Sequence, residues 1–323
     1  MIRILTASPL LRRAASAFAT LMGVAVLVFI MLRAIPGDQI SAGLGTEAAA
    51  LTPLQREALE RYYGLDQPLA VQFFSWLGNI ATGNLGFSSR AQESVLDLTV
   101  RALPVTLELA IFSIVLALAM GVPLGMLSAS KPDSARDGFG QLVGLAGLSV
   151  PAFLLATLLM TVLAASFGYN PNGERFANLF EDPWLNVQQM MLPALVLGFG
   201  IAAPIMRTTR TAVLEIRSDD FIRTARAKGV PPRRLQVRHV LGNALIPIVT
   251  MTGLQFGYLL GGAVVVEQIF SVPGIGRQVL LGIQQKEYAL VQSTVLVIAF
   301  AFVIVNLLTD ALYRIIDPRV RAA

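Results

Sequence analysis

Six long stretches without Asp, Glu, Lys or Arg are the feature of this 323-residue sequence that most limits how it can fold. They cover residues 14–32, 109–130, 138–173, 183–206, 239–266 and 288–309. A helix needs roughly 20 apolar residues to cross the hydrocarbon core of a bilayer, so each stretch has room for one span. We therefore predict an all-α membrane protein with a six-helix transmembrane bundle. Turn-forming residues from Tyr169 onward indicate that the third span ends near Phe167.

The composition excludes several other classes of protein. Only 14% of the residues are charged and 55% are hydrophobic, whereas a soluble domain carries about 25% charged residues. The sequence has no Cys and a single histidine, His239, which excludes disulfides, thiolate metal sites and multi-histidine centres. We expect no cofactor and no metal in this chain. The first apolar stretch is longer than the roughly 7 to 15 residues of a signal-peptide core, so it is interpreted as an uncleaved helix at about residues 14–34.

The basic residues are distributed unevenly between the two sides of the predicted bundle. Six spans place both termini on one side, and that side carries 17 of the 25 Lys and Arg residues. Cytoplasmic loops are the ones enriched in Lys and Arg. The sequence therefore predicts cytoplasmic N and C termini. The net charge of +5 is attributed to these loops, and no nucleic acid partner is expected.

A polar segment at residues 34–103 is predicted to lie outside the cell and to be partly helical. Thr52 is a suitable N-cap, Pro53 suits the first helical position, and Gln55 completes a capping box. Gly64 then ends a helix of about ten residues.

Two further features are expected outside the membrane. A second helix runs from Pro68 to Ile80, where Phe73, Phe74 and Trp76 indicate either an anchor in the membrane interface or a ligand site. Residues 271–276 form a tight bend that turns back toward the bundle.

Small residues recur at every fourth position in two spans. They are Gly121 and Gly125 in the second span, and Gly253, Gly257 and Gly261 in the fifth. This spacing lets helix backbones approach closely. We predict helix packing at these positions, within the chain rather than between two copies.

Three acidic residues, Glu108, Glu267 and Asp310, lie at the edges of apolar stretches. A charge there costs less than the roughly 2.5 to 3.5 kcal/mol expected at the centre of a span. Their two interpretations are pairing between helices and a position along a transport pathway.

The segment from Arg207 to Arg238 is much longer than a connector needs to be, and it carries nine Lys or Arg residues. Ser218 or Asp219 can cap a short helix that Gly229 ends, after which two prolines open the next helix.

This short helix carries an apolar stripe in an otherwise charged segment. Phe221, Ile222 and Ala225 share one face of it. The stripe can dock on a protein partner or rest on the lipid surface.

The same segment resembles a known motif. Residues 223–229, followed by Asn243–Pro247, resemble the EAA loop of ABC importer permeases. The general consensus has Glu and Ala where this sequence has Arg223 and Thr224, and the Gly-to-Pro spacing here is longer, as in the branch that imports peptides, nickel and related solutes. The resemblance implies a coupling helix held in a cleft of a cytoplasmic ATPase. It assigns this coupling to Asp220, Phe221, Ile222, Arg223, Thr224, Ala225, Lys228 and Gly229.

Further motifs resemble the same family in the same order and cover nearly the whole chain. They lie at residues 35–38, 63–68, 103–104, 106–109, 266–267, 273–276 and 317–321. Together they resemble the DppB/OppB type of permease, which serves peptide, nickel and opine transport. The resemblance implies a type I ABC importer permease fold. It assigns a span and an extracytoplasmic segment to residues 1–103, a five-helix core to 104–313 and a cytoplasmic tail to 314–323.

The resemblance also implies a function and a set of partners. The chain would form half of a translocation pathway for peptides or related solutes. No G-x-x-x-x-G-K-[ST] motif occurs in the sequence, so the chain is not expected to be an enzyme, and ATP and Mg belong to partner subunits. The expected partners are a second homologous permease, two cytoplasmic ATPase subunits, an extracytoplasmic solute-binding protein and membrane lipid.

Two other classes of function are weighed against this interpretation. A secondary, ion-coupled transporter needs ionisable residues near the middle of its helices, whereas the acidic residues here lie at the edges. An intramembrane enzyme would need Ser149 or Ser113 activated by His239. That histidine follows Arg238 at a cytoplasmic helix start, where a solvated or capping role is favoured.

Overall fold

The computed structural model describes residues 9–34, 51–62, 64–170 and 175–316. Its helices up to the third apolar stretch are α1 (Pro9–Ala34), α2 (Pro53–Tyr62), α3 (Leu69–Ala81), α4 (Val95–Ser130), α5 (Ala135–Ser149) and α6 (Ala152–Phe167). The later helices are α7 (Pro183–Ser218), α8 (Asp220–Ala227), α9 (Pro232–Arg234), α10 (Gly242–Gly262), α11 (Val264–Ile269), α12 (Ile275–Gln284) and α13 (Tyr288–Ile316), with a π-helical segment, Leu235–Leu241, joining α9 to α10. A minimal antiparallel hairpin pairs β1 (Phe87–Ser88) with β2 (Glu93–Ser94).

The apolar helices agree with the predicted membrane architecture. By length and composition, five helical stretches in the described residues can cross a membrane, and a bent pair provides a sixth. The predicted motifs at residues 35–38 and 317–321 lie outside the described residues.

The third span differs from the prediction of one helix. It consists of α5 and α6, which meet at an angle of 95°. Pro151 lacks a backbone N–H and disfavours a helical conformation for the residue before it, and Val150 is accordingly extended, with ψ 114°. The break therefore falls at this proline, and the second half ends at Phe167, the predicted end of the span.

The fourth and fifth apolar stretches form longer helices than their charge-free windows indicate. Helix α7 continues twelve residues past Met206 to Ser218, and the helical path of the next span begins at Pro232. The predicted 32-residue connector thus shortens to Asp219, α8 and a four-residue link, residues 228–231.

The chain divides into two compact units. The N-terminal unit combines Met1–Pro104 with Gly274–Val303, and the core unit combines Val105–Pro273 with Ile304–Ala323. The largest hydrophobic cluster lies within the core unit and is built mainly from α4 and α7, with Leu109, Met190, Ile205 and Val213 fully buried.

The predicted capping box at the start of α2 is present in the N-terminal unit. The backbone N–H of Thr52 donates to Oε1 of Gln55 at 2.9 Å, and the N–H of Gln55 donates to Oγ1 of Thr52 at 3.4 Å. Gly64 follows the helix with a φ of 65°. Local chemistry thus defines this helix, as the sequence indicates.

The aromatic residues of α3 pack against α1 in the same unit. The rings of Phe73 and Trp76 lie 5.1 Å and 6.1 Å from the ring of Phe29. Edge-to-face and tilted aromatic pairs at these distances are favourable. They fix α3 beside the first apolar helix.

Candidate functional site

The short helix α8 follows α7 after a single non-helical residue. Asp219 has an extended backbone, with ψ 147°, and its carbonyl accepts the first hydrogen bond of α8 from the N–H of Ile222 at 3.1 Å. The hydroxyl of Thr224 donates to the carbonyl of Asp220 at 3.0 Å. The helix is therefore locally well formed, and its N-cap is Asp219, one of the two predicted candidates.

The predicted apolar stripe is divided between the inside and the outside of the core unit. Ile222 is only 1% exposed, and it packs in the hydrophobic core together with the half-buried Ala225. Phe221, one residue and about 100° further round the helix, is 44% exposed. The prediction that all three side chains await a partner is therefore wrong for Ile222, because this residue attaches α8 to its own chain.

Charged side chains surround the exposed Phe221. Asp220 and Arg223 form an exposed ion pair at 3.3 Å. Arg226 and Lys228 are exposed at the end of the helix. The free surface of α8 thus presents one aromatic ring among mainly basic groups.

Gly229 ends α8, as the sequence predicts, and it does so in a left-handed conformation with a φ of 76°. Its N–H donates to the carbonyl of Arg226 at 3.0 Å, and the N–H of Val230 donates to the carbonyl of Ala225 at 3.2 Å. These two bonds form a Schellman motif, which commonly has glycine at this position. The link then enters α9 through two prolines, the second at the first helical position.

A buried ion pair lies in the C-terminal part of α7, the helix that precedes α8. This pair was not predicted from the sequence. The carboxylate of Asp137 on α5 is fully buried and accepts two hydrogen bonds from Arg210 on α7, at 2.8 Å and 2.7 Å. Ser128, Gln141 and the backbone N–H of Asp133 also donate to this carboxylate. The Ser134-x-x-Asp137 capping pattern was the one local signal that this carboxylate had a structural role.

A second arginine of α7 extends the same contact. Arg217 donates to the backbone carbonyls of Ala129 and Ser130, at 2.7 Å and 3.2 Å. Arg210 and Arg217 are seven residues apart and therefore lie on one face of α7. Together they attach the C-terminal part of α7 to the end of α4 and the start of α5.

The predicted acidic residues occupy different environments. Glu267 is fully buried, and the hydroxyl of Thr106 donates to its Oε1 at 2.7 Å. Glu108 is half-buried, and its Oε1 has no hydrogen-bond partner among the described residues. The side chain of Asp310 lies outside the described residues.

The predicted packing glycines differ in how closely other groups approach them. A Cβ on Gly121 would lie 2.7 Å from the carbonyl oxygen of Ala202, and one on Gly125 would lie 2.6 Å from that of Met206. Backbone contact between α4 and α7 therefore requires glycine at these two positions.

The glycines of α10 fall into three cases. Gly253 faces the side chain of Thr309 on α13, in a space too small for a Cβ. Gly257 is buried. Gly261 has no other group within 4 Å of a Cβ, so it is not a close-packing position in this chain.

No group of three His, Cys, Asp or Glu side chains in the part of the chain that the structure describes could hold a metal ion.

The helices and the sequence matches together define a multi-pass membrane permease. The family described as binding-protein-dependent transport system inner membrane component matches residues 121–322, and its N-terminal component matches residues 6–110. The chain belongs to this family. It is the permease subunit of an ABC importer.

Individual relatives align over almost the whole chain. The glutathione transport system permease protein GsiC of Pectobacterium atrosepticum is 39% identical over 94% of this chain and 95% of the relative. The di/tripeptide transport system permease protein DppB of Pseudomonas aeruginosa is 38% identical over 96% of this chain and 97% of the relative. This similarity confirms the predicted DppB-type permease.

A solved structure is also similar, although more distantly. A crystal structure of an amino acid ABC transporter with histidines matches 69% of this chain and 94% of its own chain, with 16% identity and a TM-score of 0.48. The family of this chain is established by the sequence matches and not by this structure.

Proposed function

We propose that this permease imports small peptides or glutathione-like solutes and is driven by cytoplasmic ATPases that dock on α8. The proposal is based on the different environments of two neighbouring side chains on α8. Ile222 is buried and attaches the helix to the core unit, whereas Phe221 is exposed. A docking helix that transmits motion needs both an inner anchor and a free contact side chain. Glutathione and di/tripeptides are named by relatives that align over 94–96% of this chain.

The attachment of α7 supports a coupling role for α8. Asp137 and Arg210 join α5 to α7, and Arg217 joins α7 to the end of α4. Because α8 follows α7 after one residue, a force applied at Phe221 reaches three helices through short connections. Rigid-body movement of packed helices is a common way to switch between conformations.

The proposal includes the remaining parts of the transporter. The partners are a second homologous permease, two ATPase subunits that hold ATP and Mg, and an extracytoplasmic solute-binding protein. The chain lies in the bacterial plasma membrane with both termini in the cytoplasm, in agreement with its basic loops. Residues 1–103, 104–313 and 314–323 serve as N-terminal segment, transport core and tail.

The docking of an ATPase on α8 is tested by replacing the exposed ring. Phe221→Asp should release the ATPase subunits during purification from the native membrane, because it places a charge in an apolar contact. Phe180→Asp is the matched control, since Phe180 is 92% exposed in the loop before α7 and should not affect ATPase retention. Equal retention in both variants would contradict the proposal.

The alternative surface for α8 is anionic lipid, and a second set of variants separates the two. Neutralising Arg223, Arg226 and Lys228 together should weaken a lipid contact more than a protein contact centred on Phe221. If the triple variant loses transport while Phe221→Asp keeps it, α8 rests on lipid instead.

The orientation is tested with cysteines, which the chain lacks. Ser75 and Ser218 are both exposed. In intact cells an impermeant maleimide should label Ser75→Cys and not Ser218→Cys. The reverse pattern would overturn the topology.

A further inference from the structure

The N-terminal unit contains a cavity of about 510 Å³, a volume within the range of small-molecule sites. Its walls come from the end of α1, the connection between α2 and α3, helix α3, the β1–β2 hairpin, the turn between α12 and α13, and the start of α13. The two basic side chains on its walls are Arg33 and Lys286. All of these groups belong to one compact unit.

Arg33 is held in place at the cavity wall by two contacts. Its Nε and one terminal nitrogen donate to Oε1 of Gln72 at 3.2 Å and 2.7 Å. Its guanidinium carbon lies 3.5 Å from the centre of the Phe29 ring. These contacts fix a positive charge on this wall. Among the described residues, no acidic side chain forms an ion pair with Arg33.

Glu287, the acidic residue among the described cavity walls, is hydrogen-bonded to the β1–β2 hairpin. Its Oε2 accepts from the hydroxyl of Ser88 at 2.7 Å, and its Oε1 accepts from the backbone N–H of Arg90 at 2.9 Å. Both oxygens therefore serve the β1 hairpin. Among the described wall residues there are thus two basic side chains, Arg33 and Lys286, and one carboxylate that is already hydrogen-bonded to the hairpin.

Two hydrogen-bond donors on the cavity walls have no partner within the described residues. They are Nε1 of Trp76 and Nε2 of Gln292. Both nitrogen atoms are buried, and Gln292 as a whole is only 6% exposed. An unpaired buried donor is costly, so each side chain would gain from a rotation that brought its nitrogen to an acceptor in the cavity.

Lys286 has a backbone conformation that favours glycine. Its φ is 57°, and it occupies the left-handed position of a Schellman motif. The two bonds of this motif run from Lys286 N–H to the Ile283 carbonyl at 3.1 Å and from Glu287 N–H to the Gly282 carbonyl at 2.8 Å. A lysine here costs stability. Such strain is characteristic of functional sites, where the side chain has a use.

We propose that this cavity binds the carboxylate end of a small peptide before transport. A carboxylate supplies one negative charge and two acceptor oxygens, which suit the two basic side chains described on the cavity walls. Charge-assisted hydrogen bonds of this type are stronger than neutral ones. The choice of a peptide as the bearer of the carboxylate rests on the proposed function. The binding itself needs no ATPase.

The two tryptophans of the chain make a direct measurement possible. Trp184 is 74% exposed and lies outside the cavity, so Trp184→Phe leaves Trp76 as the only fluorescent tryptophan. The full-length variant in nanodiscs of zwitterionic lipid is titrated with trialanine and with trialanine amide. Trialanine should change the Trp76 emission in a saturable way. The amide should bind at least about tenfold more weakly, because it lacks the negative charge of the C-terminal carboxylate.

A matched pair of glycine variants separates binding from folding. Lys286→Gly removes the charge, and it suits the left-handed backbone better than lysine does. Gln92→Gly relieves the same kind of strain, since Gln92 has a φ of 54°, but it lies outside the cavity. Lys286→Gly should weaken trialanine binding by about tenfold, while Gln92→Gly should leave it unchanged.

Three results would overturn the proposal. Trialanine and its amide could bind equally, Lys286→Gly and Gln92→Gly could have equal affinities, or trialanine could leave the emission unchanged at all concentrations. An emission change produced only by anionic lipid in the nanodisc would assign the cavity to a phospholipid headgroup instead. None of these results depends on ATPase retention by α8, so the proposed function is tested separately.

Discussion

Asp137 and Arg210 form a two-point ion pair inside the core unit, with Nε of the arginine 2.8 Å from Oδ1 and a terminal nitrogen 2.7 Å from Oδ2 of the aspartate. The pair joins α5 to α7. It lies below the surface, since Asp137 is fully buried and the side chain of Arg210 is 24% exposed.

Removal of one partner of this pair should destabilise the permease. Arg210→Met leaves the Asp137 carboxylate buried without its counter-charge, which is more costly than the loss of an exposed pair. We expect a clear decrease in the thermal unfolding midpoint of the purified protein. Arg223→Met breaks the exposed pair with Asp220 and should change the midpoint little.

A double variant separates lost charge pairing from lost packing. Asp137→Leu combined with Arg210→Met replaces both charges by apolar groups and should recover part of the midpoint lost in Arg210→Met. Equal midpoints for Arg210→Met and Arg223→Met would show that the buried pair does not stabilise the fold.

The adjacent residues Ile222 and Phe221 should have separate effects when shortened. Ile222→Ala removes a buried side chain from the core, a change that typically costs about 2 to 5 kcal/mol, and α8 should exchange its amide hydrogens faster. Phe221→Ala should leave exchange in α8 unchanged and reduce ATPase retention. Hydrogen exchange with mass spectrometry measures the first effect and co-purification measures the second. Faster exchange in Phe221→Ala alone would contradict this assignment.

The glycine positions of two helices should respond differently to a single added methyl group. Gly125→Ala would place a Cβ 2.6 Å from the carbonyl oxygen of Met206, so α4 and α7 must separate, and overpacking of this kind costs about 1 to 3 kcal/mol. Gly261→Ala meets no other group within 4 Å and should be neutral or slightly stabilising. Thermal unfolding of the two purified variants measures this difference, and Gly125→Ala should have the lower midpoint. A lower midpoint for Gly261→Ala would contradict the prediction.

Features governed by local chemistry could be predicted from the sequence. The capping box of Thr52 and Gln55, and the left-handed Gly229 at the end of α8, depend on residues within one or two turns. The charge-free stretches likewise predicted which segments form apolar helices. The angle at Pro151 could not be predicted in this way, because membrane helices often tolerate proline when neighbouring groups satisfy the freed backbone.

Contacts between distant parts of the chain could not be predicted. Asp137 and Arg210 are 73 residues apart, and no periodicity links them. The pattern of α8 placed Phe221 and Ile222 on a common face but did not show that the end of α7 and the π-helical segment would cover one and leave the other exposed. Helix periodicity defines a face, whereas only the fold defines what lies against it.

Gly229 provides a graded test of the geometry at the end of α8. Nothing lies within 4 Å of a Cβ at this position, so substitution meets no steric clash and the cost is confined to the backbone, about 1 to 2 kcal/mol for a residue with a Cβ. Asn tolerates the left-handed region better than Ala, and the β-branched Val tolerates it least. Solute-stimulated ATPase activity in the assembled transporter should therefore decrease in the order Gly229, Gly229→Asn, Gly229→Ala, Gly229→Val, while membrane insertion is retained.

Gly138 is the matched control for this series. It also has open space around a Cβ, but it lies within α5, where alanine is favoured over glycine by about 1 kcal/mol. Gly138→Ala should therefore keep full ATPase stimulation. If Gly138→Ala and Gly229→Ala lose activity equally, the left-handed turn is not what orients α8 toward its partner, and the coupling role of Gly229 would have to be abandoned.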